Sequence, residues 1–158
     1  MKNFSKLALL ALFIASGVFV TSCSDDDKAA EPASLYAKLG GTTMVADPNN
    51  PGQMIEQGRL SYRSVVDSTI TLIVSDIVVG AEGNLGEHFA PVISEALSGN
   101  ATNVAILSDN LTDFFSANTG GGATNVYTGL DMVTAHDPAQ NPRMGKKSND
   151  AEYDKFIG

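Results

Sequence analysis

The stretch "YTGLDMVTAH", from Tyr127 to His136, ends on one of only two histidines in the 158-residue chain. Met132 and His136 are four residues apart, and in a helix residues at this spacing share one face. A histidine near a helix end is usually solvated or caps the helix, and ligation of a bound group is the alternative. Met132 and His136 are therefore the first candidate site residues.

Helical periodicity extends over much of the remaining chain. Between Arg59 and Val79 apolar residues recur at helical spacing, although the β-branched run "STITLIV" favours a strand. We expect a helix there, because propensity is the weaker signal over so long a segment. "EHFAPVISEALSG" predicts a second helix that starts near Phe89 or Ala90 and has Gly99 as its C-terminal cap. A third helix, containing Val104 to Phe115, is expected to end at the glycines of "TGGG".

Short helices are predicted at both ends of this region. Ser34 is a candidate N-cap for "SLYAKLGG", and Asn149 and Glu152 have the spacing of a capping box in "NDAEYDKF". A further short helix is expected from Asn125 to His136, closed by the following Asp-Pro pair. The fold class predicted from these segments is all-α.

The N-terminus has the features of a bacterial lipoprotein. Lys2 and Lys6 precede fourteen uncharged residues, and "VTSC" at the end of this run resembles a lipobox. We expect residues 1–22 to be a signal peptide, with Cys23 lipidated, residues 23–33 an acidic tether, and residues 34–158 the folded domain. This places the protein outside the cytoplasm, lipid-anchored to the membrane at the periplasmic face or cell surface of a Gram-negative bacterium.

Charge and composition exclude several classes of function. Loss of Lys2 and Lys6 with the signal peptide takes the net charge from −8 to −10, which would repel nucleic acid. The chain has no P-loop, no zinc-ligand spacing and no nucleophile elbow. We expect no enzymatic activity, since peroxide or nitric oxide chemistry would need an electron supply or acid–base groups that the sequence does not clearly show.

Several segments, in order, resemble group 1 truncated haemoglobins. These are "SLYAKLGG", "VVD" at 65–67, "EHFAPV", "DFFSANTGG", "YTGLDMVTAH" and "DAEYDKF". The resemblance implies a truncated globin-like fold that holds haem b, with His136 as the iron ligand and a diatomic gas (O2, NO or CO) bound at the iron. It also implies that Phe89 packs on the haem. The family's distal tyrosine position falls on Ile70, and its polar distal-helix position falls near Leu107, with Asn110 one turn further on.

The chain also departs from the family pattern. It carries an insert, "ADPNNPGQMIEQGRLSY", and a long connector, "DPAQNPRMGKKS", and the family continues through two more helices beyond the position of Gly158. The expected fold therefore lacks these C-terminal helices, which keeps open a second function, that of a haem-less globin-derived surface module that binds a partner or has a structural role. Met132 and Val133 suit a porphyrin face, and a plain core contact is the alternative. His88 is expected to be exposed at a helix start, with a contact at the distal side or the edge of the haem as the alternative. One of Phe114 and Phe115 is expected to be buried.

Overall fold

Helices dominate the molecule because the apolar residues recur at helical spacing. The computed structural model describes residues 31–157, of which 52 % are helical. The predicted signal peptide and Cys23 lie outside the described residues. In chain order the helices are α1 (Leu35–Lys38), α2 (Gln57–Val78), α3 (Ala90–Leu97), α4 (Thr102–Ser116), α5 (Met132–Ala135) and α6 (Asp150–Ile157). A π-helical turn, Ala117–Gly121, follows α4 directly.

A small β-hairpin corrects the expectation of an all-α fold. Strand β2 (Met54–Glu56) lies in the insert, whereas β1 (Met44–Ala46) reaches it only at Ala46. The two strands pair antiparallel, with Val45 opposite Ile55. The hairpin loop is fastened to α2 by Asp47, whose carboxylate accepts two hydrogen bonds from Arg63 at 2.6 and 3.2 Å. The fold is therefore mainly helical, with one two-stranded sheet among the described residues.

The disputed segment between Arg59 and Val79 is helical, as predicted. Helix α2 spans Gln57–Val78 and packs along α4. Ionic and polar contacts join the two helices: Arg59 lies 3.0 Å from the carboxylate of Asp113, and Ser108 donates a hydrogen bond to Asp67 at 2.6 Å.

The predicted helix caps are confirmed in the structure. The Ser34 hydroxyl accepts a hydrogen bond from the Ala37 amide at 3.1 Å. Asn149 and Glu152 form a reciprocal capping box at the start of α6, with distances of 2.8 and 3.0 Å. Gly99 follows α3 with a φ of 88°, a backbone conformation that favours glycine at a helix C-terminus. These features depend only on residues a few positions apart, which explains why they were predictable.

The core under α1 is built around Tyr36. Its ring stacks on that of Tyr62 at a centroid distance of 6.4 Å, and Tyr62 stacks in turn on Phe115 at 5.9 Å. The Tyr36 hydroxyl donates a hydrogen bond to the carboxylate of Glu56 and accepts one from Asn125 at 2.9 Å. Burial, reinforced by the bond to Glu56, raises the pKa of Tyr36 to about 12. The first helix, the hairpin and the segment after the π turn are thus tied together by one polar network.

Two sequence-based expectations about local structure are wrong. Helix α5 covers only Met132–Ala135, so the first half of the expected helix from Asn125 to His136 is irregular. Neither Phe114 nor Phe115 is buried: Phe114 is partly exposed, and 40 % of Phe115 is accessible. Both phenylalanines instead line the cavity described below.

Candidate functional site

A cavity of about 310 Å³ lies between α2, α4 and the segment that runs from Tyr127 to Met144. All six predicted binding residues line it: Ile70 from α2, Phe89 just before α3, Leu107 and Asn110 from α4, and Met132 and His136 at the two ends of the α5 segment. Residues far apart in sequence are therefore brought together at one site. Most of the wall is aliphatic or aromatic, which suits an apolar ligand.

His136 is the C-cap of α5, and its orientation is set by its own helix. Its Nδ1 donates a hydrogen bond to the carbonyl of Met132 at 2.8 Å. The i, i+4 spacing seen in the sequence thus corresponds to a direct contact. Because Nδ1 donates this bond, Nε2 is the ring nitrogen that is left to bind a ligand. Asp131 is the N-cap of α5, and its carboxylate accepts hydrogen bonds from the amides of Val133 and Thr134 at 3.0 and 3.1 Å.

Val133 does not contribute to this site. Its side chain is 78 % exposed and does not line the cavity, so the expectation that it faces a porphyrin is wrong. Met132 lies at the edge of the cavity and is 39 % exposed.

His88 is buried, contrary to the expectation of an exposed residue, with only 3 % of its surface accessible. Its Nδ1 donates to the Lys146 carbonyl at 2.7 Å, and the Gly145 amide donates to the His88 carbonyl, also at 2.7 Å. The connector therefore covers His88, an arrangement that no local pattern predicted.

The two histidine rings lie side by side. Their centroids are 6.1 Å apart and their planes differ by 22°. Burial lowers the pKa of His88; the bond to the Lys146 carbonyl acts in the opposite direction, and the nearby His136 lowers the pKa further. The lowered pKa favours the neutral form of the His88 imidazole, which is packed beside His136 but does not line the cavity.

Several polar groups of the cavity were missed by sequence reasoning. Tyr127 lines it and donates its hydroxyl to the Leu130 carbonyl. Asn141 and Arg143 line it from the connector, where Asn141 donates to the Ala135 carbonyl at 2.7 Å. The connector reads as a polar loop, and nothing in its sequence indicated that it would form a wall of the site. Phe156 from α6 adds an apolar side chain to the same cavity.

Between residues 31 and 157, no three histidine, cysteine, aspartate or glutamate side chains converge to hold a metal ion. No helix in that part of the chain has the length and apolar character needed to cross a membrane.

Comparisons of the chain with protein-family models, with curated proteins and with solved structures matched none of them.

Proposed function

We propose that this chain is a truncated globin-like domain that binds haem b through His136 and a diatomic gas, oxygen, nitric oxide or carbon monoxide, at the haem iron. We also propose that a lipid on Cys23 attaches it to the cell envelope of a Gram-negative bacterium. The observation that carries the proposal is the geometry of His136. Its Nδ1 is held by the Met132 carbonyl at 2.8 Å, and its ring lines an apolar cavity. This is the arrangement that an iron-binding histidine requires.

The residues of the cavity fit a porphyrin. Its volume of about 310 Å³ falls at the lower end of the range of small-molecule sites, roughly 300–1,000 Å³. Phe89, Leu107 and Met132 supply apolar surface for a flat, largely apolar macrocycle. Since the macrocycle itself provides four nitrogen ligands, one protein histidine is enough, and a cluster of metal-binding side chains is not needed. The haem iron would supply the coordination position for the gas.

The helices across the cavity offer few hydrogen-bond donors to a bound gas. Ile70 on α2 and Leu107 on α4 line the cavity and have no polar atoms. Thr69 lines it as well, but its hydroxyl donates to the Val65 carbonyl at 2.9 Å. The amide of Asn110 is the donor that these two helices can offer. The side of the cavity formed by α2 and α4 is therefore largely apolar, and we expect these helices to stabilise bound oxygen weakly.

Absorption spectroscopy tests the proposal. Haemin added to the detergent-solubilised protein should give a sharp Soret band, and His136→Ala should abolish it while the far-ultraviolet circular dichroism stays unchanged. Imidazole added to His136→Ala should restore much of the band by taking the place of the missing side chain.

His88→Gln is the matched control for this experiment. Glutamine keeps a donor near the Lys146 carbonyl, and the Soret band should survive. A band that persists in His136→Ala and disappears in His88→Gln would identify His88 as the ligand and overturn the assignment of His136. No band in the unaltered protein would overturn the proposal as a whole.

A haem-free binding module is the second candidate. It is favoured by the apolar residues that stay exposed beside the cavity, with Phe156 58 %, Leu130 43 % and Phe115 40 % accessible. Such a surface can receive an apolar segment of a partner. The haemin titration separates the two functions, since this one predicts no Soret band.

A further inference from the structure

Arg143 places a positive charge at an otherwise apolar cavity. It lines the cavity and is partly buried, and no other arginine or lysine lines it. Its Nε donates to the side-chain carbonyl of Asn103 at 2.7 Å, and the Asn103 amide donates in turn to the carboxylate of Glu95. The guanidinium is thus held in place by a neutral amide from α4, and its terminal nitrogens have no hydrogen-bond partner among the described residues.

The absence of a carboxylate partner sets Arg143 apart from nearly all other cations of the chain. Within residues 31–157, every arginine and lysine except Lys38 and Arg143 has a carboxylate within 4.0 Å. The pairs are Arg59 with Asp109 and Asp113, Arg63 with Asp47, Lys146 with Glu87 and Glu152, Lys147 with Asp137, and Lys155 with Asp76. A chain of net charge −8 has ample carboxylates to neutralise its cations. A partly buried charge without a partner is costly, so the free guanidinium indicates a ligand group that completes it.

We propose that Arg143 is the anion-binding group of this cavity and pairs with a carboxylate at the edge of its ligand. The inference rests on the proposed function, because haem combines an apolar macrocycle with two propionate side chains. A guanidinium matches a carboxylate through two parallel hydrogen bonds, and this geometry is available once Nε is occupied by Asn103. Asn103 is a positioning residue that fixes the direction of the guanidinium. The connector residues 137–148 thereby contribute to ligand selection, in addition to covering His88.

Two haem compounds separate the contribution of the carboxylates from that of the macrocycle. The solubilised full chain is titrated with haemin and with haemin dimethyl ester, in which both carboxylates are blocked. Arg143→Gln should weaken binding of haemin about tenfold, the lower end of what a hydrogen bond to a charged group contributes, because the site is partly exposed. The affinity of Arg143→Gln for the ester should stay within about twofold of the affinity of the unaltered protein, since position 143 makes only an uncharged contact with the ester.

Two further variants control for charge and for folding. Lys147→Gln removes a neighbouring positive charge whose side chain is 72 % exposed, and it should leave both affinities unchanged. Arg143→Lys keeps the charge but not the paired hydrogen bonds, so it should restore part of the haemin preference, which a folding defect at this position would not allow.

The outcomes are distinct. If Arg143→Gln binds haemin as tightly as the unaltered protein does, or weakens haemin and ester equally, Arg143 does not bind the carboxylate, while the haem proposal stands. If Lys147→Gln has the same effect as Arg143→Gln, the preference reflects overall charge and the site is disproved. If the unaltered protein gives a Soret band with neither compound, the proposed function fails and this inference with it.

Discussion

Replacing Gly58 by alanine tests how tightly the core under α1 is packed. Gly58 lies in the first turn of α2, and a Cβ added there would lie 2.8 Å from two ring carbons of Tyr36. A Cβ on Gly121 would lie 2.9 Å from the same ring, and only 2 % of Tyr36 is exposed. The hydroxyl is held by Glu56 and Asn125, so the ring cannot move away without losing these hydrogen bonds.

Two opposing effects determine the size of the change. Alanine is favoured over glycine in a helix by about 1 kcal/mol, whereas an extra methyl group forced into a packed core costs roughly 1–3 kcal/mol. Because the ring is confined, we expect the clash to cost about 2–3 kcal/mol, so that the free energy of unfolding of Gly58→Ala falls by about 1–2 kcal/mol.

Urea denaturation followed by circular dichroism measures this difference. Ser64→Ala is the control, since Ser64 is an exposed position in the same helix and should change stability by no more than about 0.5 kcal/mol. If Gly58→Ala is as stable as the unaltered protein or more stable, Tyr36 has room to move and the packing argument is refuted.

Three further predictions concern the gas pocket, acid stability and the anchor. In the haem-loaded protein, Ile70→Tyr should slow oxygen release about tenfold or more, because it adds a hydrogen-bond donor to the cavity. If stopped-flow measurements show that the unaltered protein releases oxygen as slowly as Ile70→Tyr does, the apolar pocket is contradicted. Hydrogen bonds, first from Arg63 and then from Asn50, hold the pKa of Asp47 well below its ordinary range. The stability that this carboxylate contributes is therefore complete above about pH 4 and is lost as the pH falls toward the folded-state pKa. Denaturation at a series of pH values should therefore show that Arg63→Met is less stable at pH 7 and loses less stability below about pH 4, and parallel curves would argue against this. Metabolic labelling with a fatty-acid analogue should mark the protein and not Cys23→Ser; label that remains on the variant would disprove lipidation at this residue.

The interactions that were predictable from the sequence are local. Helices α2, α3 and α4 follow from the spacing of apolar residues, and the caps at Ser34 and Asn149 follow from side chains that reach a backbone amide three residues away. Met132 and His136 were selected first by their spacing and the other four binding residues by resemblance, and the structure brings all six to one cavity.

The failed prediction of a helix that begins at Asn125 has a physical cause, which is competition from distant parts of the chain. Asn125 was expected to begin a helix, but its amide donates to the hydroxyl of Tyr36 and the carboxylate of Glu56, each at 2.9 Å. These bonds hold the segment in an irregular path until Asp131 caps a much shorter helix. A side chain with strong partners far away in sequence overrides weak local helix propensity.

The surroundings of the histidines were decided only by the tertiary structure. The sequence placed Met132 and His136 on one face, because that relation depends on a single turn of helix. The burial of His88, its position 6.1 Å from the ring of His136, and the unpaired guanidinium of Arg143 at the cavity all depend on how the connector folds back. That path is held through two backbone groups of the connector: the Gly145 amide donates to the His88 carbonyl, and the Lys146 carbonyl accepts from the His88 imidazole. Backbone groups are the same at every position, so the connector's part in these bonds leaves no pattern in the sequence.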